Sequence, residues 1–184
     1  LGQEDPPGGV GGSRKRPKAV AWSAGIPPAV LKHTVVLPWN DAEACEQILE
    51  SEAANVAGLL VDPLLGIGGI VPPAEGFLER LRTVTERHGI LMIFDEVISF
   101  RVAWGGAQER FGIRPDLTTL GKIIGGGLAV GAFGGRRDVM AYYDPRGGGD
   151  PRGGGDAQAD AEPAGGGARI NHGGTFNANP ATMA

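Results

Sequence analysis

Two residues of this chain have types and surroundings that make reactive chemistry available: Asp95 and Lys122. Asp95 follows the apolar run Ile90-Leu-Met-Ile-Phe94. A carboxylate that ends a buried strand is costly unless it is paired or hydrogen-bonded. A cap or an ion pair would satisfy it, and so would a protonated ring nitrogen held by a charge-assisted hydrogen bond. Lys122 lies in Thr118-Thr-Leu-Gly-Lys-Ile-Ile-Gly-Gly-Gly127. Most lysines are solvated surface charges. This one is flanked by Leu120, Ile123 and Ile124, and an apolar setting favours the neutral, nucleophilic form of an amine. Such an amine forms an imine with an aldehyde. The glycines that follow let backbone approach a ligand closely, although they also suit a flexible turn. The stretch is not a nucleotide P-loop, because no Gly-Lys-Ser/Thr follows a glycine at the required spacing.

One cofactor uses both groups. Pyridoxal 5'-phosphate offers an aldehyde to a lysine and a pyridine nitrogen to a carboxylate, and its ring withdraws electrons well only when that nitrogen is protonated. Gly173-Gly174-Thr175 could present N–H groups and a hydroxyl to a phosphate, or form a simple turn; composition does not separate the two. His33, His88 and His172 have no metal-ligand spacing, so no metal is expected.

The elements that would position these groups follow from apolar periodicity. Thr34 to Leu37 is a short β-rich run. Asn40 reads as a helix cap with Glu43 in capping-box position, and Ala44, Cys45, Ile48 and Leu49 as the inner face of that helix. Cys45 is therefore a packing residue. Val56 to Val61 reads as a strand covered on both faces. A helix is predicted over Ala74 to His88, with Phe77, Leu78, Leu81 and Val84 inward and Gly89 as its stop. Ile90 to Phe94, Leu117 to Leu120 and Ala129 to Phe133 read as further strands. Alternating strands and helices predict an α/β fold with a mainly parallel sheet flanked by helices, in which ligands bind beyond the carboxyl ends of the strands.

The 184 residues, 41% hydrophobic, suffice for one core. A net charge of −4 gives no reason to expect nucleic acid. There is no apolar run of membrane-spanning length, and no membrane role is expected. A solitary cysteine fits a reducing, cytoplasmic setting. Residues 1–22 read as an irregular N-terminal segment and 23–184 as part of a larger domain. Asp144-Pro-Arg-Gly-Gly-Gly149 is repeated at once as Asp150 to Gly155, so 144–167 reads as a disordered glycine-rich insert. A helix should start at Asn179-Pro180, where little chain remains, so the sequence reads as a fragment.

The ordered series of motifs resembles the class III aminotransferases, which are pyridoxal-phosphate enzymes of fold type I, and most closely the branch that includes glutamate-1-semialdehyde aminomutase. The resembling stretches are Leu37-Pro-Trp-Asn-Asp41, Val71-Pro-Pro-Ala-Glu-Gly-Phe77, Ile93-Phe-Asp-Glu-Val97, Phe100-Arg-Val102, Gly105-Gly-Ala-Gln108, Pro115 to Lys122, Gly125 to Asp138, and Gly173 to Pro180. Asp62-Pro63 departs from the Glu-Pro frequent in that family.

The resemblance implies a partial large domain of a fold type I transferase. It implies that Lys122 carries the Schiff base to pyridoxal 5'-phosphate and shuttles protons. It implies that Asp95 holds the pyridine N–H, that Val97 packs on the ring, and that Gly174 and Thr175 serve the phosphate, Thr175 usually that of a neighbouring subunit. A homodimer and a small amino-acid or amino-aldehyde substrate follow from the same resemblance. The alternative is a truncated, non-catalytic piece acting as a binding or structural module.

Overall fold

The structure is a computed structural model and describes residues 11–13, 15–21, 23–144, 170, 172–174, 177 and 180–183. Strands β1 (Gly12–Ser13) and β2 (Arg16–Pro17) form a two-rung antiparallel ladder, and Arg16 reaches Glu52 at 3.3 Å. One helical turn, α1 (Pro28–Leu31), precedes α2 (Ala42–Glu52). Then come β3 (Gly58–Val61), α3 (Phe77–His88), β4 (Leu91–Asp95), α4 (Gly106–Phe111), β5 (Leu117–Leu120), β6 (Ala132–Gly135), α5 (Arg137–Met140) and α6 (Pro180–Met183).

The main sheet has the order β3-β4-β5-β6. β3, β4 and β5 run parallel, and β6 closes antiparallel on β5. This is the mainly parallel α/β arrangement that the alternation of elements predicts. The core lies between the sheet and helices α2 and α3. Cys45 and Leu49 of α2 meet Phe77, Leu78, Leu81 and Val84 of α3 over Met92 and Phe94 of β4. Trp39 adds an edge-to-face contact on Phe77, with ring centroids 5.0 Å apart. No helix among the described residues is long and apolar enough to cross a membrane.

Several local expectations need correction. Thr34 to Leu37 is not a strand. A β-prone run needs a neighbour to pair with, and this one pairs with none of the described strands; Leu37 instead packs on the core. The cap of α2 is Asp41, whose Oδ1 accepts from Ala44 N at 3.0 Å. Asn40, at φ 62°, holds a distant loop: its amide donates to Pro72 O and accepts from Ala74 N. That tie helps explain why α3 begins at Phe77 and not at Ala74, because the chain first turns through Gly76 at φ 75°. Gly89, left-handed at φ 67°, ends α3 where expected. β3 is not covered on both faces. Val61 is buried but Leu60 is 63% exposed, because β3 lies at the sheet edge with α2 and α3 on one side only. Of the glycine-rich insert only Asp144 is among the described residues, and the cap position Asn179 is outside them.

Two buried polar groups knit the domain. Asp116, just before β5, accepts from Arg82 Nη1 (2.8 Å), Arg136 Nη1 (2.9 Å) and Met92 N (2.7 Å). It joins α3, β4 and the turn after β6. Burial pushes its carboxyl up, but the hydrogen bonds from Arg82, Met92 and Arg136 and the charge of Arg82 outweigh that and hold it below the ordinary value. Cys45 is fully buried and its thiol donates to Pro38 O at 3.1 Å. Burial, followed by the charge of Asp41, pushes the thiol up to about 12. Cys45 should therefore resist a disulfide reagent at pH 8 in the native protein and react fully in denaturant. Rapid native labelling would contradict its placement in the core.

Candidate active site

The site forms where β4 and β5 end. Parallel pairing sets Ile93 opposite Leu117, Phe94 opposite Thr118 and Asp95 opposite Thr119. Lys122 follows Thr119 by three residues, so both sequence-predicted residues lie at the carboxyl edge of neighbouring parallel strands. Alternation along β4 buries Met92 and Phe94 toward the helices and leaves Asp95 part-exposed.

Asp95 is held from two directions. Its Oδ1 accepts from Val97 N at 3.1 Å and from Thr119 Oγ1 at 3.4 Å. Its Oδ2 has no hydrogen-bond partner among the described residues. Lys122 likewise has no ion pair there, and Asp95 forms none. Val97 turns back over Gly121: a Cβ added to that glycine would stand 3.5 Å from both Val97 methyls. Val97, two residues after Asp95, thus sits over Gly121, the residue before Lys122.

Lys122 itself differs from expectation in one respect. It is exposed, and so is Ile123, so the apolar neighbours in sequence do not desolvate it in this chain. The reason is local: Lys122 to Gly125 form a 3₁₀ turn that leaves the strand end and carries these side chains outward. Lys122 is also one of four non-glycine residues with positive φ among those described, at 48°. Such a backbone is sparsely populated and persists where its surroundings impose it.

A carboxylate oxygen and an amine on one edge, both without a partner among the described residues, fit a pyridine ring bearing an aldehyde. The carboxylate can hold a ring N–H, and the amine can condense with the carbonyl. Val97 offers an apolar contact for a flat ring. Of the two residues expected at a phosphate, Thr175 lies outside the described residues. Gly174 is exposed and begins a turn closed by Asn177 N on Gly174 O. Its neighbour His172 packs on Phe133 and Tyr143, and no hydrogen bond among the described residues ties this segment to Asp95 or Lys122.

The model of the family described as aminotransferase class-III matches residues 15–184. The chain belongs to this family. Among the relatives of this class III chain is a glutamate-1-semialdehyde 2,1-aminomutase of Ignicoccus hospitalis, 44% identical over 90% of the chain and 34% of the relative. Another protein of that name, from Pelotomaculum thermopropionicum, is 54% identical over 70% of the chain and 30% of the relative. The chain therefore spans about a third of the length of the curated relatives it matches. An omega-transaminase from Sphaerobacter thermophilus superposes with a TM-score of 0.80 at 44% identity, over 95% of this chain and 36% of that one. A transaminase with PLP bound gives 0.72 at 34% identity, over 88% and 34%. The fold of this class III chain is that of part of a fold type I transaminase.

Sequence reasoning assigned no role to Glu96, Gln108 and Thr119, which frame the site. Glu96 is fully buried, and its carboxylate accepts from Ser99 Oγ, Ala107 N, Gln108 N and Gln108 Nε2. A signal was present: two acidic residues in succession after an apolar strand cannot both face water. The glycine pair Gly105-Gly106 was the second. A Cβ on Gly106 would stand 2.5 Å from Glu96 Oε2.

Proposed function

We propose that the protein transfers amino groups with pyridoxal 5'-phosphate, that Lys122 binds the cofactor covalently, and that Asp95 holds its ring nitrogen protonated. The observation that carries this is the register of Asp95 on Thr119 across parallel strands, three residues before Lys122. Family membership and the relatives support it. The bound cofactor supplies an aldehyde that captures a primary amine and a ring that accepts the electron pair of a broken C–H bond.

The chain's own residues do the rest. Asp95 would hold the ring nitrogen protonated through Oδ2, while Oδ1 is fixed by Val97 N and Thr119 Oγ1. Lys122 Nζ would hold the cofactor and would move a proton between carbons of the substrate as the base and acid of the reaction. Val97 would offer its side chain to one face of the ring. Gly174 and Thr175 contribute to the phosphate, Thr175 from the neighbouring subunit of a homodimer. The substrate is a small amino acid or amino-aldehyde. Keeping the nitrogen on one substrate is favoured by the two aminomutase relatives. A cytoplasmic setting accords with the single buried thiol.

The test uses the full-length protein loaded with pyridoxal 5'-phosphate. Its long-wavelength absorbance should bleach when a primary-amine donor is added. Asp95→Asn keeps the oxygen that Val97 and Thr119 use, but turns an N–H donor toward the ring nitrogen. It should retain cofactor and slow the bleaching by about 10²-fold or more, in line with the loss of one well-placed proton partner. Bleaching at an unchanged rate in Asp95→Asn would remove Asp95 from the mechanism.

A further inference from the structure

We infer that Glu96 is a positioning residue, a buried carboxylate that clamps the strand ends from the face opposite Asp95 and so fixes where Asp95 and Val97 point. The inference rests on the cofactor reading above and deepens it. Consecutive residues of a strand project to opposite faces. On one face Asp95 of β4 meets Thr119 of β5, the hydroxyl donating to the carboxylate. On the other face Glu96 meets Thr118 through Gln108, whose Nε2 lies 3.2 Å from Glu96 Oε1 and 3.4 Å from Thr118 Oγ1. The same two strands are therefore cross-linked above and below.

Glu96 also closes the excursion between the two elements. Ser99 Oγ donates to it from the start of that excursion, at 3.3 Å. Ala107 N at 2.5 Å and Gln108 N at 3.2 Å donate from the first turn of α4, midway along the excursion. The backbone takes part as well: Glu96 N donates to Thr119 O and Phe100 N to Glu96 O. No cation pairs with this carboxylate among the described residues, so four neutral donors are what hold it. A group so enclosed is costly unless every acceptor site is used. Gly106 leaves no room for a side chain, at φ 79° and with its would-be Cβ against Oε2. Glu96 touches neither the proposed cofactor nor its lysine. Its effect reaches them through Asp95 and Val97, its immediate neighbours in the chain.

Glu96→Gln tests this because the amide keeps one acceptor oxygen and puts an N–H2 in place of the other, so that a donor faces either Ala107 N–H at the Oε2 position or Gln108 N–H at the Oε1 position. In the full-length protein, at a temperature where the variant is folded, the dissociation constant for pyridoxal 5'-phosphate should rise by about tenfold, as for lost outer partners of a bound group. The long-wavelength band of the bound cofactor should shift or weaken as well. Gln108→Met removes a single donor and should move both readouts in the same direction by less; it stands in if Glu96→Gln does not fold. Asp116→Asn is the control. It breaks a buried network at the amino end of β5, so it should lower stability and leave cofactor affinity and band unchanged. Unchanged affinity and band in both Glu96→Gln and Gln108→Met would overturn the inference, as would an equal change in Asp116→Asn. A wild-type protein that forms no adduct at Lys122 overturns the cofactor reading and this one with it. An adduct that forms but ignores Glu96 overturns this one alone.

Discussion

Lys122→Ala is expected to reduce turnover by about 10⁴-fold, the upper range for loss of a positioned acid–base group, with further loss from the missing covalent anchor. No other lysine of these 184 residues follows a strand of the main sheet. Lys15, Lys18 and Lys32 are the remaining lysines of the chain and all precede the sheet that carries the site. The variant should still fold. Lys122 is exposed, forms no ion pair among the described residues, and adopts a positive φ that alanine tolerates no worse than lysine does. An unchanged melting temperature together with collapsed turnover is the expected result. Added primary amines should restore part of the rate, because they replace the missing base. Retention of a tenth or more of wild-type turnover would remove Lys122 from the reaction.

The largest effect on stability is expected at Asp116. Asp116→Ala leaves Arg82, which is 14% exposed, and the N–H of Met92 without their acceptor. Removing one partner of a buried pair costs about 3–5 kcal/mol. Arg136 is half exposed and can return to water, so the lower end of that range applies. The midpoint of urea unfolding should fall accordingly, and a loss below about 1 kcal/mol would show a mere surface pair. The pH dependence follows from the direction of the shift. The folded carboxyl sits below its ordinary value of 3.8, so its contribution is present above that value and is lost as pH falls through the lower, folded value. Acid unfolding should therefore begin at a higher pH in Asp116→Asn than in the wild type.

Much of this arrangement was legible in the sequence because it depends on local pattern. The apolar run ending at Asp95 is a strand, and the helix face of Phe77, Leu78, Leu81 and Val84 is buried. Gly89 terminates α3 through a conformation that glycine adopts freely. The pair Asp95 and Lys122 could be placed at one sheet edge because parallel strands deliver their carboxyl ends to the same side. What the sequence did not disclose depends on partners distant along the chain. Thr34 to Leu37 has strand-forming residues but none of the described strands pairs with it. Leu60 lies in an apolar run yet is open, since burial is decided by which side the helices cover. Glu96 was unassigned because its four donors come from Ser99, Ala107 and Gln108, which fold back only in three dimensions. Lys122 was expected in an apolar setting, whereas its flanking isoleucines turn with it out of the strand end.

The account depends most on the identity of one covalent bond. The full-length protein should be incubated with pyridoxal 5'-phosphate, reduced with borohydride, digested and mapped by mass spectrometry. One phosphopyridoxyl adduct is expected, on the peptide that contains Lys122, and it should be absent from Lys122→Ala. An adduct on Lys32 or any other residue, or no adduct in a folded wild-type protein, would contradict the assignment of this edge of the sheet as the active site.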